Sequence, residues 1–432
     1  MKCRNWQVMR RTPRRDNWPR GKFPGVISLW WSILKKNVLL FLPTVPLAIL
    51  LQGSGPSAVA AEGDTFTPYV FASMTHDSNL LRLNGAATTS STADTLRQAG
   101  AGLNADWKIS RQQILLTAAV NENRFDRFSA LNYRGRDLHG TWNWRFAEHF
   151  SGDIGYSNNL AIGSFAYQQA LVSNLRVQER SFVDGFWSFH PNWQVGVGAS
   201  RNKLSYPDVT QRFLNREENV WETVAQYLSS TDNKVGIKLR ETNGTYPNQP
   251  VDFVNMLDSG YLQREVLAFI DWKDGAHNEL QGQAGTVQRR HEHFSARDYS
   301  DINARGTYSW LASSEVTVNV SGWREIWAYD DLATSYSRNR GLALEPRWMP
   351  YSTLTISARF QHEQADFLGD PGILPFMTTR RDTIVTRNFA ITYEPAPRYS
   401  FKMSIGDDKR DSNESIFSYY SRIASVSATL QL

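Results

Sequence analysis

Cysteine is nearly absent: Cys3 is the only one in 432 residues, and it lies upstream of an apolar run near the N-terminus. A body without thiols has no disulfide framework and no thiolate chemistry. It also offers no Cys after that run to carry a lipid. Long apolar stretches are missing as well. With 41% hydrophobic residues and a mean hydropathy of -0.45, the chain excludes a bundle of membrane-spanning helices. The same values are compatible with a membrane barrel, where lipid-facing and water-facing residues alternate and average out.

The net charge of +5 is concentrated at one end. Residues Met1 to Ala61 hold ten Lys and Arg against the single acid Asp16. Removing them from totals of 47 basic and 42 acidic residues leaves 37 and 41, a balance of about -4. The basic pI therefore belongs to the leader, and a nucleic-acid partner loses its main support.

What is present begins with that leader. Lys2 to Lys36 is basic and rich in Arg and Trp, and Val38 to Leu51 is apolar but broken by Pro43 and Pro46. Ser57-Ala58-Val59-Ala60-Ala61-Glu62 then supplies small residues suited to signal-peptidase cleavage. This order predicts an exported protein with a leader over 1–61 and a mature body over 62–432. An uncleaved N-terminal anchor is the competing reading. Arg10-Arg11 invites a twin-arginine signal, which Thr12-Pro13 fits poorly.

The body reads as an all-β chain. In its final stretch Tyr420, Ala424, Val426, Ala428, Leu430 and Leu432 alternate with Ser421, Ser425, Ser427, Thr429 and Gln431. Period two marks a strand with one apolar and one polar environment. Upstream the pattern repeats as hairpins. Trp142, Trp144 and Phe146 turn at Ala147-Glu148-His149 into Phe150, Gly152 and Ile154. Val266, Ala268, Ile270 and Trp272 turn at Asp274-Gly275 into Leu280, Gly282 and Ala284. Eight such hairpins plus a first and a last strand predict about eighteen strands, the even count of closed bacterial barrels.

Longer polar segments separate the hairpins, among them Asp77–Asp94, Asn202–Arg216, Thr242–Ser259 and Gln361–Arg381. Trp107, Phe146, Phe150, Phe189, Trp193, Trp272, Trp310, Trp348, Tyr351, Tyr393 and Tyr399 flank the short turns. Rings gathered at one end of every hairpin predict an aromatic girdle at the periplasmic interface. A soluble propeller or sandwich gives short strands and turns without that placement. The expected architecture is a transmembrane antiparallel β-barrel in the bacterial outer membrane, surrounded by outer-membrane lipid.

Pro68-Tyr69-Val70, followed by His76-Asp77-Ser78-Asn79-Leu80-Leu81-Arg82-Leu83, carries a family resemblance. It resembles the start of the EpsL-type outer-membrane β-barrel proteins encoded with exosortase-associated exopolysaccharide biosynthesis operons. His76 and Ser78 depart from the Tyr and second acid common in that motif. The resemblance implies a part in moving an extracellular polysaccharide across the outer membrane, with periplasmic export proteins as partners. Bare architecture favours a general or small-solute porin instead.

Enzyme chemistry finds no support. His291-Glu292-His293 places two imidazoles on one side of a strand, a spacing that suits a metal, yet no third ligand adjoins it. No phosphate-binding glycine loop or nucleophile elbow is present, and no catalytic residue, cofactor or metal is expected. The polar faces are more informative. Arg145, Arg176, Arg180, Lys234, Lys238, Arg240, Arg305, Arg347 and Arg359 fall opposite the lipid face, interspersed with acids. They are expected to line the lumen, either as a salt-bridged wall or as a lining that favours anions. Phe182, Phe186 and Trp323 share that face and are candidate stacking surfaces for sugar rings.

Overall fold

The computed structural model describes residues 65–85, 92–166, 169–328, 334–370, 372 and 379–432. The leader over 1–61 lies outside the described residues. The strands begin with β1 (Phe66–Asp77), β2 (Asp94–Ile109), β3 (Gln112–Phe125), β4 (Tyr133–Phe146), β5 (Phe150–Ile162) and β6 (Leu175–His190). They continue through β7 (Trp193–Ser205), β8 (Arg216–Leu228), β9 (Lys234–Thr245), β10 (Gly260–Asp274), β11 (Asn278–His291) and β12 (Tyr299–Leu311). The last are β13 (Val316–Ala328), β14 (Tyr336–Tyr351), β15 (Leu354–Leu368), β16 (Arg381–Ala396), β17 (Tyr399–Ser412) and β18 (Tyr419–Gln431).

All belong to one 18-stranded sheet in which each strand pairs with its sequence neighbours and β1 also pairs with β18. The ladder is antiparallel throughout and closed, so no strand edge is left for the membrane to desolvate. The closing pair runs from Tyr69 opposite Gln431 to Asp77 opposite Ile423. No helix among the described residues is long and apolar enough to cross a membrane; the crossing is made by strands.

The final strand shows why this sequence closes. Ala424, Val426 and Ala428 are exposed on the outside, while Ser421, Ile423 and Thr429 are buried on the inside. Ile423, which breaks the sequence alternation, is thus an apolar residue packed inside. Elsewhere Val197, Ile237, Leu342 and Met403 stand exposed in the same outward rows. On a soluble protein such bands would aggregate; against hydrocarbon they are the favourable state.

All eleven rings predicted to flank the short turns are exposed, from Trp272 at 41% to Phe146 at 72%. Four of those turns use a left-handed residue: Ser110, Ala147, Asp232 and Gly275. The strands outrun the sequence reading at the opposite end. β9 reaches Thr245 and β15 reaches Leu368, well into the segments expected to be loops, whereas β1 ends at Asp77, where its loop is expected to begin.

Large inward rings are accommodated by glycines on the adjoining strand. Phe71 lies over Gly100, Tyr69 over Gly102, Phe182 over Gly155, Phe186 over Gly196, Phe269 over Gly236 and Trp323 over Gly341. A Cβ at any of these glycines would enter the ring's van der Waals space. Gly155→Val is therefore expected to displace Phe182 and cost about 1–3 kcal/mol. Gly306→Ala, whose Cβ would meet nothing closer than Gln281 O at 3.9 Å, should be nearly neutral. Urea midpoints of the two variants in detergent check the contrast.

Candidate functional site

The alternation places every basic candidate on the inner face. Ile237 and Leu239 are exposed to lipid, so Lys238 and Arg240 between and after them turn inward. There they meet acids from neighbouring strands. Lys238 Nζ lies 3.1 Å from Glu222, and Arg240 reaches Glu222 at 2.9 Å and Glu265 at 3.3 Å. Arg305 clasps Glu325 with two bonds of 2.7 and 2.8 Å, and Arg359 pairs with Glu345. Buried charge persists only when paired in this way.

The nine candidates therefore divide. Lys238, Arg240, Arg305 and Arg359 are committed to the salt-bridged wall, and Lys238 keeps only 1% of its surface. Arg180 lies with its guanidinium 5.2 Å from the centre of the Phe182 ring. Arg176, Lys234 and Arg347 are half-buried, and Arg145 is exposed. Further cations face the lumen at the short-turn end, among them Lys108, between exposed Trp107 and Ile109, and Lys402, between exposed Phe401 and Met403. Strict alternation through β2 and β17 would have found both.

The three stacking candidates are placed differently from one another. Trp323 is 8% exposed, donates its indole N–H to Glu363 at 2.9 Å and has Arg305 over its ring at 5.0 Å. The ring lies against Gly341 and beside that guanidinium, and its burial leaves little open surface for a sugar. Phe182 is half-buried, with Gly155 against its ring and the Arg180 guanidinium 5.2 Å from its centre. Phe186 stays half-buried over Gly196.

The long-segment end holds a network that the sequence reading missed. Arg82, just past β1 in a left-handed conformation, pairs with Asp77 at 2.8 Å and approaches Asp408 at 3.7 Å. Burial opposes the Arg82 charge, but Asp77 and Asp408 together hold its pKa above the ordinary range. Asp77 also accepts from Ser421 and from the backbone N–H of Asn79. Asp408 accepts from Tyr419 at 2.9 Å. Asp382 pairs with Arg380 at 2.6 Å and Arg410 at 3.5 Å.

The segment after β5 folds onto this network. Phe165 is buried against Leu80, Leu81, Phe125 and Leu131. Arg410 donates to Ala166 O at 2.7 Å, and Gln169 donates to Arg82 O. A connection between β5 and β6 thus reaches residues as far round the ring as β17.

The His291-Glu292-His293 stretch is divided between two carboxylates. His291 faces Asp298 at 3.4 Å, and His293 Nδ1 lies 2.9 Å from Asp258. Asp258, Glu292 and His293 do come together. Asp258, however, already accepts the backbone N–H groups of Ser259, His293 and Phe294. It clamps the β9–β10 connection to the β11–β12 connection, and its hydrogen bond raises the His293 pKa.

A closed eighteen-strand barrel with a lipid-exposed band, a girdle of rings and a charged interior is an outer-membrane β-barrel of bacterial type. Its architecture is that of the porins. The chain is similar to a BenF-like porin from Pseudomonas fluorescens Pf-5, with a TM-score of 0.50, 10% identity, and 85% of this chain and 99% of that chain covered. OccK9 (OpdG) of Pseudomonas aeruginosa aligns with a TM-score of 0.49, 10% identity, and coverage of 85% and 98%. OccK2 (OpdF) of the same organism aligns at 0.48 and 11% identity, with coverage of 85% and 98%. No family model and no curated protein matches the chain.

Proposed function

We propose that this barrel is a porin-like channel for small polar and charged solutes. The supporting observation is the inner face, where charged and polar side chains continue from Lys108, Arg145 and Lys402 at one end to half-buried Arg176 and Arg180 of β6 toward the other. A barrel of this strand number is wide enough to hold water between such walls. The exposed cations at the short-turn end favour anions at the periplasmic mouth.

Purified protein in planar bilayers is expected to give discrete conductance steps. A salt gradient should give a reversal potential on the anion-selective side. Lys108→Glu with Lys402→Glu should move that potential toward cations. Absence of steps from correctly folded protein would sink the channel reading.

A second reading, transfer of an extracellular polysaccharide aided by periplasmic export proteins, is supported by the EpsL resemblance. The motif behind it, Pro68 to Val70 followed by His76 to Leu83, ends in the corner on which the β5–β6 connection is fastened, at the mouth a polymer would pass. A deletion strain separates the two cargoes. Polymer retained in the envelope supports export; normal secretion with loss of a small solute's uptake supports the porin.

A further inference from the structure

On the outside of the barrel, Arg324 of β13 and Arg340 of β14 stand directly opposite each other. Both continue outward rows, Val320–Gly322–Arg324 on one strand and Leu344–Leu342–Arg340 on the other. Like charges in directly opposed positions destabilise a sheet unless an anion lies between or beside them. Arg338 of β14 and Arg381 of β16 extend the group, each directly opposite the same residue, Asp366 of β15.

Two carboxylates serve all four guanidiniums. Asp301 takes Arg324 at 2.5 Å and Arg338 at 2.7 Å; Asp366 takes Arg340 at 3.2 Å and Arg381 at 2.8 Å. Among the described residues the patch keeps an excess of two positive charges. Arg264 and Arg97, also on the outer face, differ in that each meets a carboxylate of its own, Glu241 and Asp126.

The local wall explains the crowding. β12 and β13 pair only from Ala304–Arg324 down to Leu311–Thr317. Above that level side chains fill the seam: Asn303 accepts the backbone N–H of Ile326 at 2.8 Å, and Arg324 donates to Ile302 O. Arg324 and Arg338 are drawn into closing the seam. Arg340 and Arg381 stay outside, with side chains 50% and 70% exposed.

Two residues below Arg340 the surface turns apolar, with Leu342 66% exposed and Phe360 49% exposed. A ligand filling both zones carries hydrocarbon along the sheet and anionic groups at the long-segment rim. Guanidiniums match phosphate oxygens in charge and geometry. We propose that the outer face of β13–β16 is a binding site for the phosphorylated headgroup of an outer-leaflet lipid. The proposal is independent of what passes through the lumen.

Native mass spectrometry of the full barrel tests it, using a bis-phosphorylated glycolipid, the same lipid after dephosphorylation, and inorganic phosphate. The phosphorylated lipid should be retained, and Arg340→Glu with Arg381→Glu should weaken it by at least about tenfold. Arg264→Glu should leave retention unchanged. Arg340→Gln with Arg381→Gln gives a milder loss and guards against misfolding, which heat-modifiable mobility reports. Equal retention of the dephosphorylated lipid, equal retention by the double variants, or inorganic phosphate competing at equal concentration would each overturn the site.

Discussion

Replacing Arg82 with alanine is expected to cost about 3–5 kcal/mol of barrel stability. Its side chain is 5% exposed, between Asp77 at 2.8 Å and Asp408 at 3.7 Å. Truncation removes the guanidinium that the buried Asp77 and Asp408 share. Asp77 keeps the Asn79 N–H and the Ser421 hydroxyl, and Asp408 keeps Tyr419, so the loss is the shared charge together with the Arg82 bonds to Asp77 and to the Asn79 carbonyl. Arg82→Ala combined with Asp77→Ala should cost less than the sum of the single changes, because the pair leaves one stranded acid instead of two. Guanidinium titrations in detergent, followed by tryptophan fluorescence, give both numbers. An Arg82→Ala barrel within about 1 kcal/mol of the parent would show that water reaches the corner and screens it.

The strands were legible where the membrane forces their two faces to differ. Ile237 and Leu239 against Lys238 and Arg240 could be assigned from period alone, and register confirms them. Legibility fails beyond the lipid. In Gln361–Arg381 the outer residues become Gln364 and Asp366, so hydropathy no longer alternates although β15 runs on to Leu368. Backbone pairing continues there without any contrast in polarity to announce it.

The lumen was half legible for a related reason. Period two tells which side a cation faces but not which acid lies beside it. Arg240 meets Glu222 and Glu265, 18 and 25 residues away, only because of the β8–β9 and β9–β10 registers. Period two placed Phe182 inward, but its contact with Gly155 comes from the β5–β6 register. The corner at Arg82 was hidden more deeply. Its partners Asp408, Tyr419 and Ser421 lie at the other end of the chain and arrive only when β18 closes on β1.

Arginine placed at Val197 separates lipid from lumen most directly. Val197 is 67% exposed near the middle of β7, opposite Gly185 and Thr223, with outward neighbours Val195 and Ala199. An arginine there can reach neither headgroups nor lumen water without distorting the sheet. Mid-bilayer placement sets the penalty at about 2–4 kcal/mol. Ser427→Arg is the matched control: it lies inside β18 opposite Ser73 and Lys402, and its charge would be solvated. Lys402 adds some like-charge repulsion, a fraction of a kcal/mol in water, so the control should stay within about 1 kcal/mol of the parent. Folding titrations into phosphatidylcholine vesicles measure both. Equal penalties would mean that the outer band does not face hydrocarbon, and with it would go the assignment of every row built on Val197.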